Sequence, residues 1–467
     1  LVCGEPDLIR WGIEAAYKFI YNTADPEGQY YETSGAGYNE CGRQCNASFA
    51  DMLWNYDPAH YDDPGRFPQP KDYPYEIKLF RHPRMQLHLD RALYEMDCVG
   101  FRPRYGDAGA TSRVLTDTIG EWGRLRLRWA FTLYRSAETE ERRCTYYRKM
   151  QIASRRQNPE TQLGSDGLFW FGPLDDPPEL DPVADASLVR SSLWGQRATA
   201  ILRQGEGDDR LALLMLGGTI FPHGNDDTLH IALYSQRQML THDVAYDLYG
   251  RPIHMGWACR SIAHTTVTVD ERGGPPLYRG GPNATVTGFG DYPSISYVAM
   301  ATGPRCWENQ PAVRRYDRAC ALVKLPGTSG YVVDLFEVAG GKQHDYSFHG
   351  QVTSKGEGFS LEGAKLEPVP NVWTLAGLSG HADATFDAPG RSWGERVLPG
   401  NRIRKLGISG EEVGYFNWYP PPGNGYGFLY DVKAAPLRDR VVADWTTEAA
   451  KDIHLRMTLF PGEASTI

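Results

Sequence analysis

The sequence predicts an α+β protein whose helices lie mainly in its first part and whose strands lie mainly in its second. Apolar residues within residues 5–22 and 85–96 recur at three- and four-residue intervals, the spacing of a helix with one buried face. Beyond residue 182, apolar and β-branched residues alternate with period two, the spacing of a strand with one buried face. An acidic, proline-rich connector at residues 175–182 separates these two patterns.

The connector is the preferred domain boundary. A chain of 467 residues can form two or three domains with large cores. We predict a mainly helical domain over residues 1–175, an antiparallel β-sandwich over 183–365 and an additional β-rich region over 366–467. Further helices are predicted at 119–134 and 142–156. The predicted strands of the sandwich are residues 196–202, 210–216, 228–234, 263–270, 319–325, 330–338 and 346–352.

Charge and composition exclude some classes of partner. The net charge of −9 argues against general affinity for nucleic acid. Apolar runs stay well short of the roughly 20 residues of a membrane span, so we expect no membrane partner. Residues 113–156 nevertheless contain eleven Lys/Arg and five Asp/Glu. This basic stretch is either a solvated helical face or a wall that binds a polyanion.

The stretch from residue 221 to 270 carries the strongest candidate site. Strands are predicted at both of its ends, so His223 and Asn225, two residues apart, would face the same way. Asp243 and His264 would come from later strands of the same sheet. An Asn oxygen, an Asp oxygen and a His nitrogen are suitable ligands for one divalent cation. His223 would stand beside that cation and transfer a proton. The alternative is an ordinary hydrogen-bonded pair on a strand.

Two motifs in this stretch resemble a known family. Residues 223–227 are His-Gly-Asn-Asp-Asp, and residues 263–270 are Ala-His-Thr-Thr-Val-Thr-Val-Asp. They resemble the heparinase II/III-like polysaccharide lyases, in which the usual forms are His-Gly-His-x-Asp and Ala-His-Asn-Thr-Val-x-Val-Asp. The resemblance implies that the helical domain is the C-terminal part of an (α/α) toroid, incomplete in this chain, and that the antiparallel β-sandwich follows it.

The resemblance also assigns roles to residues. It implies that His223 is catalytic, and that Asn225, Asp243 and His264 hold a metal ion, with Asp227 structural. Asn225 replaces the second His of the family motif, and Thr265 replaces the Asn after the last His. The first change exchanges a nitrogen ligand for a harder oxygen ligand, which moves the expected ion from zinc toward manganese or calcium. We expect manganese, with calcium or zinc as alternatives. The related glucuronyl C5-epimerases of dermatan sulfate carry a similar manganese-type site.

A second resemblance concerns a tyrosine. Residues 29–38 are similar to the family segment Asp-Gly-x-Tyr-x-Glu-x-Ser-x-x-Tyr, whose last Tyr is the catalytic acid and often also the base. That position here is Tyr38. The family also places an Asn-His pair on a helix upstream of this tyrosine, whereas the first Asn of this chain is Asn22 and the first His is His60. We therefore expect an upstream N-terminal segment of the same protein to complete the site.

Together these residues predict a polysaccharide lyase. The expected substrate is an anionic, uronic-acid-containing polysaccharide, in the first place a glycosaminoglycan, cleaved by β-elimination with Tyr38 as acid and base and His223 as base. The alternatives are a glucuronyl C5-epimerase of the dermatan/chondroitin type and an inactive carbohydrate-binding scaffold. A metallohydrolase is disfavoured because the sequence contains no His-Glu-x-x-His motif. We expect a secreted or periplasmic protein.

Overall fold

The structure is a computed structural model that forms two compact units. One unit contains residues 1–32, 38–97 and 117–189, and the other contains 33–37, 98–116 and 190–467. The structure describes the backbone of residues 6–28, 42, 45–48, 50, 79–95, 105–107, 133–134, 137–144, 190–205, 211–218, 223–235, 238–241, 243, 261–270, 283–307, 312–326 and 330–352, and of the strands given below beyond residue 352.

Two helices dominate the described part of the first unit. Helix α1 spans Pro6–Thr23 and helix α2 spans Pro83–Glu95, within two residues of both predictions. α1 buries one side of its surface, including Tyr17, as its apolar spacing requires. Arg84 Nη1 donates to the carbonyl of Ala24 at 3.2 Å, which ties the start of α2 to the residue that follows α1. Neither described helix is both long and apolar enough to cross a membrane.

Other predictions for the first unit lie largely outside the described residues. Of the helices predicted at 119–134 and 142–156, the structure describes only residues 133–134 and 142–144, all of them helical. The connector at 175–182 is likewise outside the described residues. The toroid arrangement of the helices therefore stays a prediction.

The second unit is built from strands that pair almost throughout in antiparallel fashion. The one parallel pair among the described strands joins Phe428–Lys433 and Lys451–Leu459. The strands are β1 Ser192–Trp194, β2 Thr199–Gln204, β3 Leu211–Leu216, β4 Ile231–Ser235, β5 Gln238–Thr241, β6 Val267–Val269, β7 Ala284–Asp291, β8 Ile295–Thr302, β9 Arg315–Val323, β10 Tyr331–Ala339, β11 His344–Val352, β12 Phe359–Glu362, β13 Lys365–Pro368, β14 Glu395–Leu398, β15 Arg402–Lys405, β16 Phe428–Lys433, β17 Val442–Trp445, β18 Lys451–Leu459 and β19 Ala464–Thr466.

Three five-stranded sheets organise this unit. Their strand orders are β1-β2-β3-β4-β5, β19-β10-β9-β8-β7 and β13-β16-β18-β11-β6. The inward side chains of the first two sheets form one apolar core, which includes Leu213, Val298 and Phe336. Residues from β6 and β11, in the third sheet, contribute Val267 and Tyr346 to the same core. This packing of antiparallel sheets confirms the predicted β-rich sandwich in its coarse form.

Strand boundaries near the candidate site differ from the predictions. The strand predicted at 228–234 begins only at Ile231, because Leu229 has φ 58° and leaves the extended conformation. The run predicted at 263–270 contains only the three-residue strand β6, which follows a 3₁₀ turn at Ser261–Ala263. Strands β7 and β8 were not predicted at all.

Candidate active site and metal centre

The loop from residue 223 to 230 carries two of the site's histidines. His223 lies in a turn with φ 69°, and its carbonyl accepts a hydrogen bond from the Asp107 backbone N–H at 2.9 Å. The prediction that His223 and Asn225 share the face of a strand is therefore wrong, because this segment is a loop. Left-handed backbone at a non-glycine residue is uncommon, and such conformations cluster at functional sites.

His223 is more accessible than the other candidate residues. Its side chain is half-buried, whereas Asn225 is 2% exposed and both Asp243 and His264 are 0% exposed. A half-buried imidazole can meet a substrate and exchange protons with it. The fully buried side chains can act only on their immediate neighbours.

A buried cluster of three side chains forms beneath the loop. Ligand atoms of His230, Asp243 and His264 all lie within 4.8 Å of one another. His264 Nδ1 is 3.5 Å from Asp243 Oδ2, and the rings of His230 and His264 have centroids 5.3 Å apart at an interplanar angle of 68°. Asp243 and His264 thus place a carboxylate and an imidazole in dry surroundings, a pair of donors that suits a divalent metal ion.

The cluster gathers residues from the ends of different strands. His230 directly precedes β4, and Asp243 follows β5, the hydrogen-bonded neighbour of β4. His264 follows the 3₁₀ turn, its backbone N–H bonded to the Ser261 carbonyl at 3.0 Å, and precedes β6 in a different sheet. The prediction that Asp243 and His264 come from one sheet is therefore wrong.

Hydroxyl groups connect the three segments that carry the cluster. Thr241 and Thr265 share a hydrogen bond between their hydroxyls at 2.9 Å, which links β5 to the turn after His264. Thr266 Oγ1 donates to the carbonyl of Thr228 at 2.8 Å, which links that turn to the loop. All these side chains are buried, so the hydrogen bonds are protected from water.

His230 was not among the residues that the sequence singled out for the site. Its signal was present as a polar side chain in an otherwise apolar run, Leu229 to Leu233. The Thr265 backbone N–H donates to His230 Nδ1 at 2.9 Å. A neutral imidazole that accepts at Nδ1 carries its hydrogen at Nε2, so His230 presents a donor to the cluster.

Asn225 stands apart from the other buried polar residues. Neither its side-chain oxygen nor its side-chain nitrogen has a hydrogen-bond partner among the described residues, although the residue is 2% exposed. A buried amide without partners is costly and calls for a further ligand. Its oxygen is therefore suited to a further ligand, and the metal set of Asn225, Asp243 and His264 stays a prediction.

Other predicted residues are placed as follows. Asp227 is buried, and its backbone carbonyl accepts a hydrogen bond from the His230 N–H at 2.9 Å, so it shapes the loop. Thr265 is buried and contacts His230 and Thr241 as described above. Tyr38 lies outside the described residues.

Comparison with known proteins finds solved structures of similar fold but no matching family model. The sequence matches no family model and no curated protein. A solved structure of heparinase III matches with a TM-score of 0.50 and 10% identity, over 77% of this chain and 51% of that chain. A heparan sulfate lyase, HepC from Pedobacter heparinus, matches with a TM-score of 0.46 and 12% identity, over 76% of this chain and 47% of that chain.

A heparinase III gene product gives a similar result, with a TM-score of 0.46 and 13% identity over 77% of this chain and 50% of that chain. The chain thus spans about half the length of these structures. At these identities the likeness concerns the fold alone, and the fold is heparinase-like.

Proposed function

We propose that this protein is a polysaccharide lyase that cleaves a uronic-acid-containing polysaccharide by β-elimination. The proposal rests on the different burial of the two ends of one loop. A half-buried His223 on left-handed backbone stands at its start, and a buried His/Asp/His cluster anchors its end. This arrangement occurs in a heparinase-like fold.

β-Elimination requires a base for the C5 proton and an acid for the departing O4. His223 suits the base because an imidazole can take up a proton, because the side chain is only half-buried and because its backbone carbonyl is held by the Asp107 N–H. The acid is Tyr38, and this assignment rests on the sequence. The electron pair of the C5–H bond forms the C4–C5 double bond, and O4 departs with the proton that Tyr38 donates.

Asn225, together with Asp243 and His264 of the cluster, offers donors that suit a divalent cation. Asn225 Oδ1, Asp243 and His264 would hold it, with manganese expected before calcium or zinc because two of the three ligands are oxygen atoms. A bound cation would supply fixed positive charge at Asp243 and His264. His230, a donor at Nε2, would orient the acceptor atoms around it rather than bind the cation.

The expected substrate is an anionic glycosaminoglycan, and heparan sulfate is the first to test because the solved structure that matches with a TM-score of 0.50 is a heparinase. A substrate of this kind is found outside cells, so we place the protein in a secreted or periplasmic compartment.

The test uses the full-length protein, with the upstream segment that we expect to complete the site, supplied with Mn²⁺, and a panel of heparan sulfate, chondroitin, dermatan, hyaluronan, alginate and ulvan. The expected result is ultraviolet absorbance from a 4,5-unsaturated uronate on at least one polymer, lost in His223→Gln. Deuterium incorporation at C5 without the unsaturated product would instead identify an epimerase. Neither signal on any polymer would overturn the assignment of an enzyme.

A further inference from the structure

Arg318 lies in the middle of β9 with its side chain inside the sandwich and 1% of the residue exposed. Its guanidinium group uses all five of its N–H donors. Nε and Nη2 donate to the two oxygens of Asp334 at 2.8 and 2.6 Å, and Nη2 also reaches the Tyr346 hydroxyl at 3.3 Å. Nη1 donates to the carbonyls of Leu229 and Thr265, both at 2.6 Å.

The two carbonyls belong to the immediate neighbours of the cluster histidines. Leu229 directly precedes His230, and Thr265 directly follows His264. One planar, rigid group therefore holds two peptide groups that come from segments far apart in the sequence. Because Leu229 and Thr265 are chain neighbours of His230 and His264, holding these two peptide groups constrains where the two rings can lie.

The backbone at Leu229 needs such support. Its φ of 58° is in the left-handed region, which a branched side chain disfavours. Strained backbone persists only where the surroundings determine it. The hydrogen bond from Arg318 holds the Leu229 carbonyl in the orientation that leads the loop through His230 into β4.

The surroundings of Arg318 keep it charged and immobile. Burial by itself lowers the pKa of Arg318, but the Asp334 carboxylate together with Tyr346 and Cys320 raises that pKa by more, so it lies above its ordinary value. The guanidinium carbon is 4.8 Å from the ring centroid of Phe336 and 5.9 Å from that of Tyr346. Ring faces and a two-point ion pair thus fix the plane of the group.

We infer that Arg318 is a positioning residue of the cluster, which sets the distance between His230 and His264 through the carbonyls of Leu229 and Thr265. Arg318 itself contacts neither substrate nor cation. Only the effect on cation binding and on the loop that carries His223 rests on the proposed function. The geometry that the inference describes can be tested without substrate.

The direct test is Arg318→Lys, because an ammonium group keeps the charge but cannot reach both carbonyls and both oxygens of Asp334. The matched control is Arg203→Lys. Arg203 is also buried, at 2% exposed, but its Nη1 donates to the Arg190 carbonyl and the Ser192 hydroxyl, both at 2.8 Å, on another strand pair. Both variants lose hydrogen bonds of a buried arginine.

Two measurements separate positioning from stability. In the metal-free full chain, ¹⁵N spectra of the histidine side chains report whether His230 Nδ1 still accepts a hydrogen bond. Calorimetric titration then gives the affinity for Mn²⁺. We expect Arg318→Lys to shift the signals of His230 and His264 and to weaken Mn²⁺ binding about 10- to 100-fold. Arg203→Lys should lower the melting temperature and leave both readouts unchanged.

Unchanged histidine signals and unchanged Mn²⁺ affinity in Arg318→Lys would overturn the inference. If that variant does not fold, Asp334→Asn serves instead, because it weakens the two-point ion pair and leaves the arginine in place. A smaller effect in the same direction supports positioning, and no change contradicts it. The histidine spectra need neither metal nor polymer, so this result stays separate from the presence or absence of lyase activity.

Discussion

His223 and His230 stand at the two ends of one loop, yet their surroundings are opposite. His223 is half-buried on left-handed backbone, and its own carbonyl is held by Asp107. His230 is 0% exposed, with Nδ1 fixed by the Thr265 N–H. The same side chain is therefore available for proton transfer at one position and committed to fixed hydrogen bonding at the other. Burial and hydrogen bonding, rather than residue type, separate the two roles.

The largest expected effect concerns the accessible histidine. His223→Gln keeps the polar character of the side chain but removes the group that takes up a proton. Turnover should fall by roughly 100- to 10,000-fold, the usual contribution of a general base. Melting temperature and bound metal should stay at the parent values, because the side chain is outside the buried cluster. Retained turnover would show that another residue is the base.

The second effect concerns the buried carboxylate. Asp243→Asn removes the negative charge of the cluster, so the affinity for Mn²⁺ should fall by at least about 100-fold. Substitution of residues that only hydrogen-bond to metal ligands costs up to about 100-fold, and the loss of a ligand itself should cost no less. Calorimetric titration measures the affinity. A chelator should lower the melting temperature of the parent and leave that of the variant unchanged. Equal affinities in the two proteins would remove Asp243 from the ligand set.

The third effect concerns Tyr316, which supports the turn after His264. Its hydroxyl contacts Thr266 Oγ1 at 2.7 Å and donates to the Val267 carbonyl at 2.7 Å. Burial raises the pKa of Tyr316 from its ordinary value of 10 to about 12. The protonated form is thus favoured by folding, and this contribution is fully present below pH 10 and lost as the pH rises to about 12.

A pKa difference of this size corresponds to about 3 kcal/mol of unfolding free energy. Urea unfolding across the alkaline range should therefore show a steep loss of stability in the parent and a shallower loss in Tyr316→Phe. Tyr292→Phe is the control, because Tyr292 is 56% exposed. Identical alkaline slopes in the parent and Tyr316→Phe would contradict the account.

The smallest effect concerns the choice of ion. Asn225→His restores a nitrogen where the family motif has one, so preference should move from manganese toward zinc by about tenfold, or 1.4 kcal/mol. Competitive titration of the two ions measures the ratio. Asn283→Ala is the control, since Asn283 is also a buried amide but donates to Thr228 Oγ1 at 2.9 Å. If the ratio of the manganese and zinc affinities were the same in Asn225→His as in the parent, Asn225 would not be a metal ligand.

Local patterns predicted the elements better than the site. Helices α1 and α2 were predicted within two residues because their apolar spacing is regular. Strand β7 was missed because Gly288 and Gly290 interrupt its alternation, with a register shift at Gly288. Alternation predicts a strand near His223, but the structure has a loop at 223–230, where Gly224 and the acidic pair that follows Asn225 are turn-forming residues.

The residues of the cluster are brought together by tertiary contacts, which the alternation of apolar and polar residues along a strand does not encode. Asp243 and His264 came from the family resemblance, and the structure places them 3.5 Å apart from two different sheets. His230 was overlooked because its run predicted an ordinary strand. The role of Arg318 was equally invisible, since its partners Leu229 and Thr265 contribute backbone carbonyls, which no side-chain pattern reveals.

The most direct test of the central claim compares the parent and His223→Gln, both with the same measured Mn²⁺ content, on heparan sulfate and the other uronate polymers. We expect the parent to release 4,5-unsaturated product and the variant, equally folded and equally loaded with metal, to release almost none. A parent that neither forms this product nor exchanges the C5 proton on any polymer, or a variant as active as the parent, would contradict it.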